Sequence, residues 1–231
     1  MGIAGLELAT IVMCGLPAQA QFKVLFTPPP GARAPLKSVG GASRGSVCAA
    51  GAEKTDQKLT LLLPQSNHGL TASTHPTFFG YVPASSATKI FFSLRDEKNK
   101  THYQVTLPIT GQEEIVQIQL PKTVAALEPG KNYQWGIAML CGNKLRADSP
   151  IASGWIQRIV PSAALVKTLN SKTLLERASF YGKQGLWYDT VQSMFEVRLQ
   201  DPNNQLLTSN WQELMDNAGL KHVSRIALRS R

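Results

Sequence analysis

The chain has 231 residues and a formal charge of +9, with 24 Lys and Arg against 15 Asp and Glu. That length suffices for one domain of moderate size with an appendage. Its basic residues are dispersed with no consecutive run, which argues against a nucleic-acid binder. Such proteins concentrate Lys and Arg on one element among exposed aromatics.

Residues 1–20 read as a signal peptide. An apolar run from Leu6 to Leu16 meets a small-residue site at Ala18-Gln19-Ala20, the pattern of secretory cleavage before Gln21. The run is too short to span a bilayer, and no later segment offers the roughly 20 apolar residues of a membrane helix. The chain is therefore expected to be exported, periplasmic or extracellular. Two features depart from the pattern: no Lys or Arg precedes Lys23, and Glu7 lies inside the run. Alternatives are a lipoprotein acylated at Cys14, where Met13 fills a position that wants a small side chain, and an apolar helix packed on the domain. Residues 1–20 hold Glu7 and no base, so without them the charge is +10. A diffuse positive field favours anionic envelope polymers or lipid surfaces; general solubility is the plainer account.

Residues 21–57 contain Pro28-Pro29-Pro30-Gly31 and Gly40-Gly41, with few large apolar groups after Phe26, and read as an extended arm or linker. Over residues 58–160 the period is two. Short β-rich runs such as Thr77-Phe78-Phe79-Gly80-Tyr81-Val82 and Lys89-Ile90-Phe91-Phe92-Ser93-Leu94 are bounded by Pro, Ser, Asn and Gly. Tyr103, Val105 and Leu107, then Val116, Ile118 and Leu120, then Tyr133, Trp135, Ile137 and Met139 alternate with mostly polar neighbours. With Gly154 to Val160 this makes about seven strands and predicts an antiparallel β-sandwich, a mainly β fold of the immunoglobulin or fibronectin type III kind. The stretch Leu127-Glu128-Pro129-Gly130 followed by Tyr133 resembles the corner before the F strand of fibronectin type III domains. There the Tyr hydroxyl bonds back to the corner backbone.

Residues 161–231 form a helical appendix. Ser162 is placed to cap a helix through Leu169, Ser171 or Thr173 the next, and Gln184-Gly185 separates that helix from one over Leu186 to Gln200, ended by Pro202. Ala178, Tyr181, Gly185, Trp187, Met194 and Pro202 stand at the spacing of a tetratricopeptide-like hairpin, with Tyr181, Trp187 and Met194 filling the space between its helices. A further helix is expected from Asn210, with Glu213 as capping partner, to about Asn217, stopped by Gly219.

Once residues 1–20 are removed, Cys48 and Cys141 are the remaining cysteines, and an oxidising compartment favours a disulfide between them; two free thiols are the alternative. His68 and His75 lie seven apart in a polar loop without a nearby Cys or carboxylate, so no metal site is expected. His102 should face solvent, and neither it nor His222 has an evident partner. There is no nucleophile elbow, phosphate-cradling Gly loop or metalloprotease helix motif, and no cofactor is implied.

The mature chain resembles an uncharacterised cyanobacterial family, domain of unknown function 928. The resemblance is carried by Arg44 to Cys48, Leu61-Leu62-Leu63-Pro64, Gly69-Leu70-Thr71, His75-Pro76-Thr77-Phe78, Tyr81-Val82-Pro83, Gly154-Trp155-Ile156-Gln157-Arg158 and Gly185-Leu186-Trp187-Tyr188-Asp189. It implies an exported protein of a cyanobacterium and brings no activity or catalytic residues with it.

Two function classes follow. The first is a non-enzymatic exported binding or adaptor module of the cell envelope, facing an envelope protein or an anionic glycan. Its candidate contacts are Trp155, Trp187, Tyr188, Asp189 and Trp211, with burial in the interdomain core as the plainer account of each Trp. The second is a hydrolase acting on envelope material through carboxylates that no motif singles out. A concave pocket of convergent polar groups with perturbed acidity would mark the hydrolase, and an exposed apolar patch the binding module.

Overall fold

Alternating apolar and polar side chains build two sheets that face one another across a core of aromatic rings. The structure is a computed structural model that describes residues 23–31, 58–141 and 144–228. The described strands are β1 (Thr60–Leu61), β2 (His68–Thr71), β3 (Thr77–Val82), β4 (Lys89–Asp96), β5 (Thr101–Pro108), β6 (Glu114–Gln119), β7 (Asn132–Leu140) and β8 (Ile151–Arg158). One sheet has the order β1-β3-β6 and the other β2-β8-β7-β4-β5. Four helices follow: α1 (Ala163–Asn170), α2 (Leu174–Lys183), α3 (Trp187–Gln200) and α4 (Gln205–Asn217). The fold is thus mainly β and sandwich-like, with its helices at the C-terminal end.

Every residue of β3 is buried, because both faces of the three-stranded sheet are covered. Phe78 points into the sandwich, its ring 5.0 Å from Phe92 and 4.9 Å from Trp135. Phe79 points the other way and meets Phe195 of α3 at 4.9 Å. α3 therefore packs on the outer face of that sheet, and the buried side chains form one continuous cluster from Val24 to Val223.

The sandwich is not wholly antiparallel. β2 pairs in parallel with β8, His68 opposite Trp155 and Thr71 opposite Arg158, where a loop was expected. A four-residue strand containing Gly69 gives too short an alternation to be read, and its partner lies far along the chain. The corner before β7 is as anticipated: Gly130 has φ +75°, and the Glu128 amide donates to the Tyr133 hydroxyl at 3.1 Å.

Asn204, not Asn210, caps α4, its side chain accepting from the Leu206 and Leu207 amides. Asn210 is instead buried within α4, where its Oδ1 accepts from the Val24 amide at 2.7 Å. That bond fixes the start of residues 23–31, which run along the helices without regular secondary structure. Thr27 donates its amide to the Gly182 carbonyl, and Phe26 meets the Trp187 ring edge-on at 4.8 Å. No helix among the described residues is long and apolar enough to cross a membrane.

Candidate functional site

The α2–α3 hairpin is set by local chemistry. Thr173 and Glu176 form a capping box at the start of α2, and Gly185, at φ +74°, turns the chain into α3. The first turn of α3 is then bolted to the sheets. Trp187 donates its indole N–H to the Leu62 carbonyl at 2.7 Å, and the Tyr188 hydroxyl donates to the Trp155 carbonyl at 3.1 Å. Asp189 Oδ2 accepts from the Ala72 amide at 3.0 Å, with the Thr71 hydroxyl and the Ser73 amide also bonded to its carboxyl. Burial pushes that carboxyl up to about 6, against the pull of these donors.

Beside this junction lies a cleft of about 450 Å³ between α1, α2, α3 and the Ala72-Ser73 turn. Its floor is the face of α3 carrying Asp189, Gln192, Ser193 and Glu196, spaced i, i+3, i+4 and i+7 on one stripe of a 3.6-residue helix. α2 contributes Arg177 and Tyr181. The opposite wall is apolar, made by Leu165, Val166 and Leu169 of α1. α1 buries none of its residues completely, and Val166 stays 44% exposed.

Part of the polar lining is already engaged within the protein. Arg177 Nε is shared between the Leu169 and Lys172 carbonyls at 3.2 and 3.1 Å, and Gln192 donates to Glu196 Oε1 at 2.9 Å. Burial, with the Asp189 carboxylate next, raises the Tyr181 phenol. A second groove, of about 340 Å³, crosses the outer face of the five-stranded sheet, where Leu145 and Ile151 are exposed beside Phe91 and Ala138.

Of the candidate contacts Trp155, Trp187, Tyr188, Asp189 and Trp211, Asp189 alone lines the cleft. Trp155, Trp187, Tyr188 and Trp211 are buried in the core and are not offered to a partner. Trp187 and Tyr188 join α3 to the sheets through their polar atoms, as large rings with one polar atom suit such junctions. Tyr181, expected between the helices, is half-buried on the cleft side. Arg177, Gln192, Ser193 and Glu196 were not among the expected site residues; the helical spacing of the last three with Asp189 was the available signal, and Arg177, on α2, left none.

The histidines are held by ordinary contacts. His68 is buried against Asn132, and burial lowers its pKa. His75 pairs with the Val124 carbonyl, and His222 lies 3.2 Å from Thr60 Oγ1. His102, expected to face solvent, is half-buried: it pairs with the Ala125 carbonyl and packs edge-on against Tyr133. Cys141 directly follows β7, whereas Cys48, Cys14 and residues 1–22 lie outside the described residues.

The family model described as Domain of Unknown Function (DUF928) matches residues 39–228, which take in both sheets, all four helices and every residue of the cleft. The chain belongs to the DUF928 family. No curated protein matches it. Within this DUF928 chain the cleft is therefore part of the family domain and not an addition to it.

Proposed function

We propose that this DUF928 protein is a non-enzymatic exported binding or adaptor module of the cell envelope, and that the cleft under α1 holds its ligand. The observation that carries this reading is the disposition of α1. Its apolar side chains stand over a polar stripe of α3 without closing on it, so several polar groups of the lining lack a protein partner. Concave sites with an apolar wall and a few convergent polar groups are the common form of small-ligand sites.

Export rests on the apolar run ending at Ala18-Gln19-Ala20, and a periplasmic or extracellular setting suits a Cys48–Cys141 disulfide. The net positive charge suits an anionic glycan or an acidic envelope protein as the wider surface the module sits on. The Glu128–Tyr133 bond supports a fibronectin type III-like sandwich, and the Gly185 turn supports a tetratricopeptide-like hairpin. The family resemblance suggests a cyanobacterial host.

The test is a photo-cross-linking residue at Asn170, in the exported chain in its native envelope, with Lys98 in the β4–β5 hairpin as control position. A species captured from Asn170, absent from Lys98 and lost in Arg177→Ala/Glu196→Gln, supports the cleft. Identical capture from both positions refutes it.

One observation favours a hydrolase instead: Asp189, lifted to about 6, shares the cleft with Glu196, as a general acid and a second carboxylate would. Its carboxyl is already engaged by the 71–73 turn, which fits a structural clamp better. Release of reducing ends from envelope polymer, abolished by Asp189→Asn, would favour the hydrolase.

A further inference from the structure

We infer that the cleft takes an uncharged polyhydroxy ligand, a short stretch of neutral glycan laid with its C–H face on α1 and its hydroxyls toward α3. This rests on the binding reading above and specifies the chemistry of the ligand.

The unpartnered groups decide the class. The Tyr181 hydroxyl, the Ser193 hydroxyl and the Asn170 amide all line the cleft and make no side-chain hydrogen bond among the described residues. Each can both donate and accept. A lining of such groups matches a ligand whose own groups do the same, and sugar hydroxyls are of that kind.

Charge points the same way. The side chains that carry charge into the cleft are Arg177, Glu196 and Asp189. The Asp189 carboxyl is spent on the Ala72 and Ser73 amides and the Thr71 hydroxyl. Arg177 and Glu196 remain and offset one another. With the Asp189 carboxyl held by the 71–73 turn, an anionic polymer or a polyamine entering here meets one charge of each sign, so the local charge selects neither. The local site and the distant field thus select different things.

The apolar wall accounts for the other face. Leu165, Val166 and Leu169, with Leu174 from α2, offer aliphatic surface opposite the polar stripe. A pyranose ring presents C–H groups on its faces and hydroxyls at its rim, and it fills such a two-sided slot without stranding a polar group. The volume of about 450 Å³ falls within the roughly 300–1,000 Å³ of ligand clefts.

The test is amide shift mapping on the ¹⁵N-labelled chain from Gln21. The probes are maltotetraose, cellotetraose and chitotetraose as uncharged ligands, polygalacturonate as anion and spermidine as cation. At least one uncharged tetrasaccharide is expected to shift the amides of Ala72, Asn170, Gln192 and Ser193 with little dependence on salt. Tyr181→Phe should weaken it about tenfold, the loss of one hydrogen bond at about 1.4 kcal/mol. Asn170→Ala, on the exposed side of α1, should weaken it without affecting folding. Cleft shifts with polygalacturonate or spermidine alone overturn the ligand class and leave the cleft as a binding site. Failure of all three tetrasaccharides to shift cleft amides overturns the inference, while the Asn170 cross-link independently judges the site.

Discussion

The indole N–H of Trp135 donates to the hydroxyl of Tyr188 at 2.6 Å, joining the middle of β7 to the first turn of α3. Both side chains are buried, so the bond lies at the meeting point of sandwich and helices. Tyr188→Phe keeps the ring and leaves the Trp135 N–H without an acceptor. A loss of about 2 kcal/mol is expected, the desolvation cost of one buried donor. Urea unfolding followed by tryptophan fluorescence measures it; a loss below 0.5 kcal/mol would show that the two parts are not joined here.

Asp189 gives stability a pH dependence of a particular sign. Its folded pKa of about 6 lies above the ordinary 3.8, so the folded state holds this proton more tightly than the unfolded state. Its contribution is full below about pH 4 and is lost as pH rises through 6. The opposite trend comes from Asp96 and Glu176, whose carboxyls are held low by backbone amides. Comparison with Asp189→Asn isolates the first effect: wild type should lose ground to the variant between pH 4 and 6 and run parallel above. A pH-independent difference in urea midpoint would contradict the raised carboxyl.

Gly182 lets residues 23–27 lie against α2, since a methyl there would run into the Leu25 carbonyl oxygen. Gly182→Ala gains about 1 kcal/mol of helix propensity and loses the contact with that segment. The expected outcome is little change in global stability, with trypsin cutting faster at Lys23. Unchanged cleavage would mean that the Asn210–Val24 bond alone holds the segment.

The proposed Cys48–Cys141 bridge has a direct check. A non-reducing peptide map of the exported chain should contain the two cysteine peptides linked, and reduction should lower stability by on the order of 4 kcal/mol in the chain-entropy account. Two free thiols in the exported chain would dispose of the bridge.

The sandwich was legible because Val105, Val116, Ile118, Trp135 and Ile137 alternate with mostly polar neighbours, and one buried face imposes that period directly on the sequence. The helix starts at Ser162 and Thr173 were legible because capping is local. β2 was not, since a parallel pairing with β8 leaves no mark on the four residues that make it. The start of α4 was misplaced because Asn204 and Asn210 look alike in one dimension, although one accepts amides of its own helix and the other an amide from Val24. The cleft draws its walls from four separate segments, and no periodicity reports which polar face will be left uncovered.

The side-by-side pairing of β2 with β8 also bears on the order of assembly. Asn67 donates its side-chain amide to the Ser153 carbonyl across 86 positions of sequence. β2 lies at the edge of its sheet, with β8 as its one strand neighbour, and the first turn of α3 is seated on both. A chain threading through a translocation pore from its N-terminus thus delivers β2 long before anything exists for it to pair with. Closing so distant a contact is slow, and until it closes the outer edge of β8 stands bare. If the chain is exported as proposed and emerges unfolded, that interval is when it is open to a chaperone, a protease or a second nascent copy.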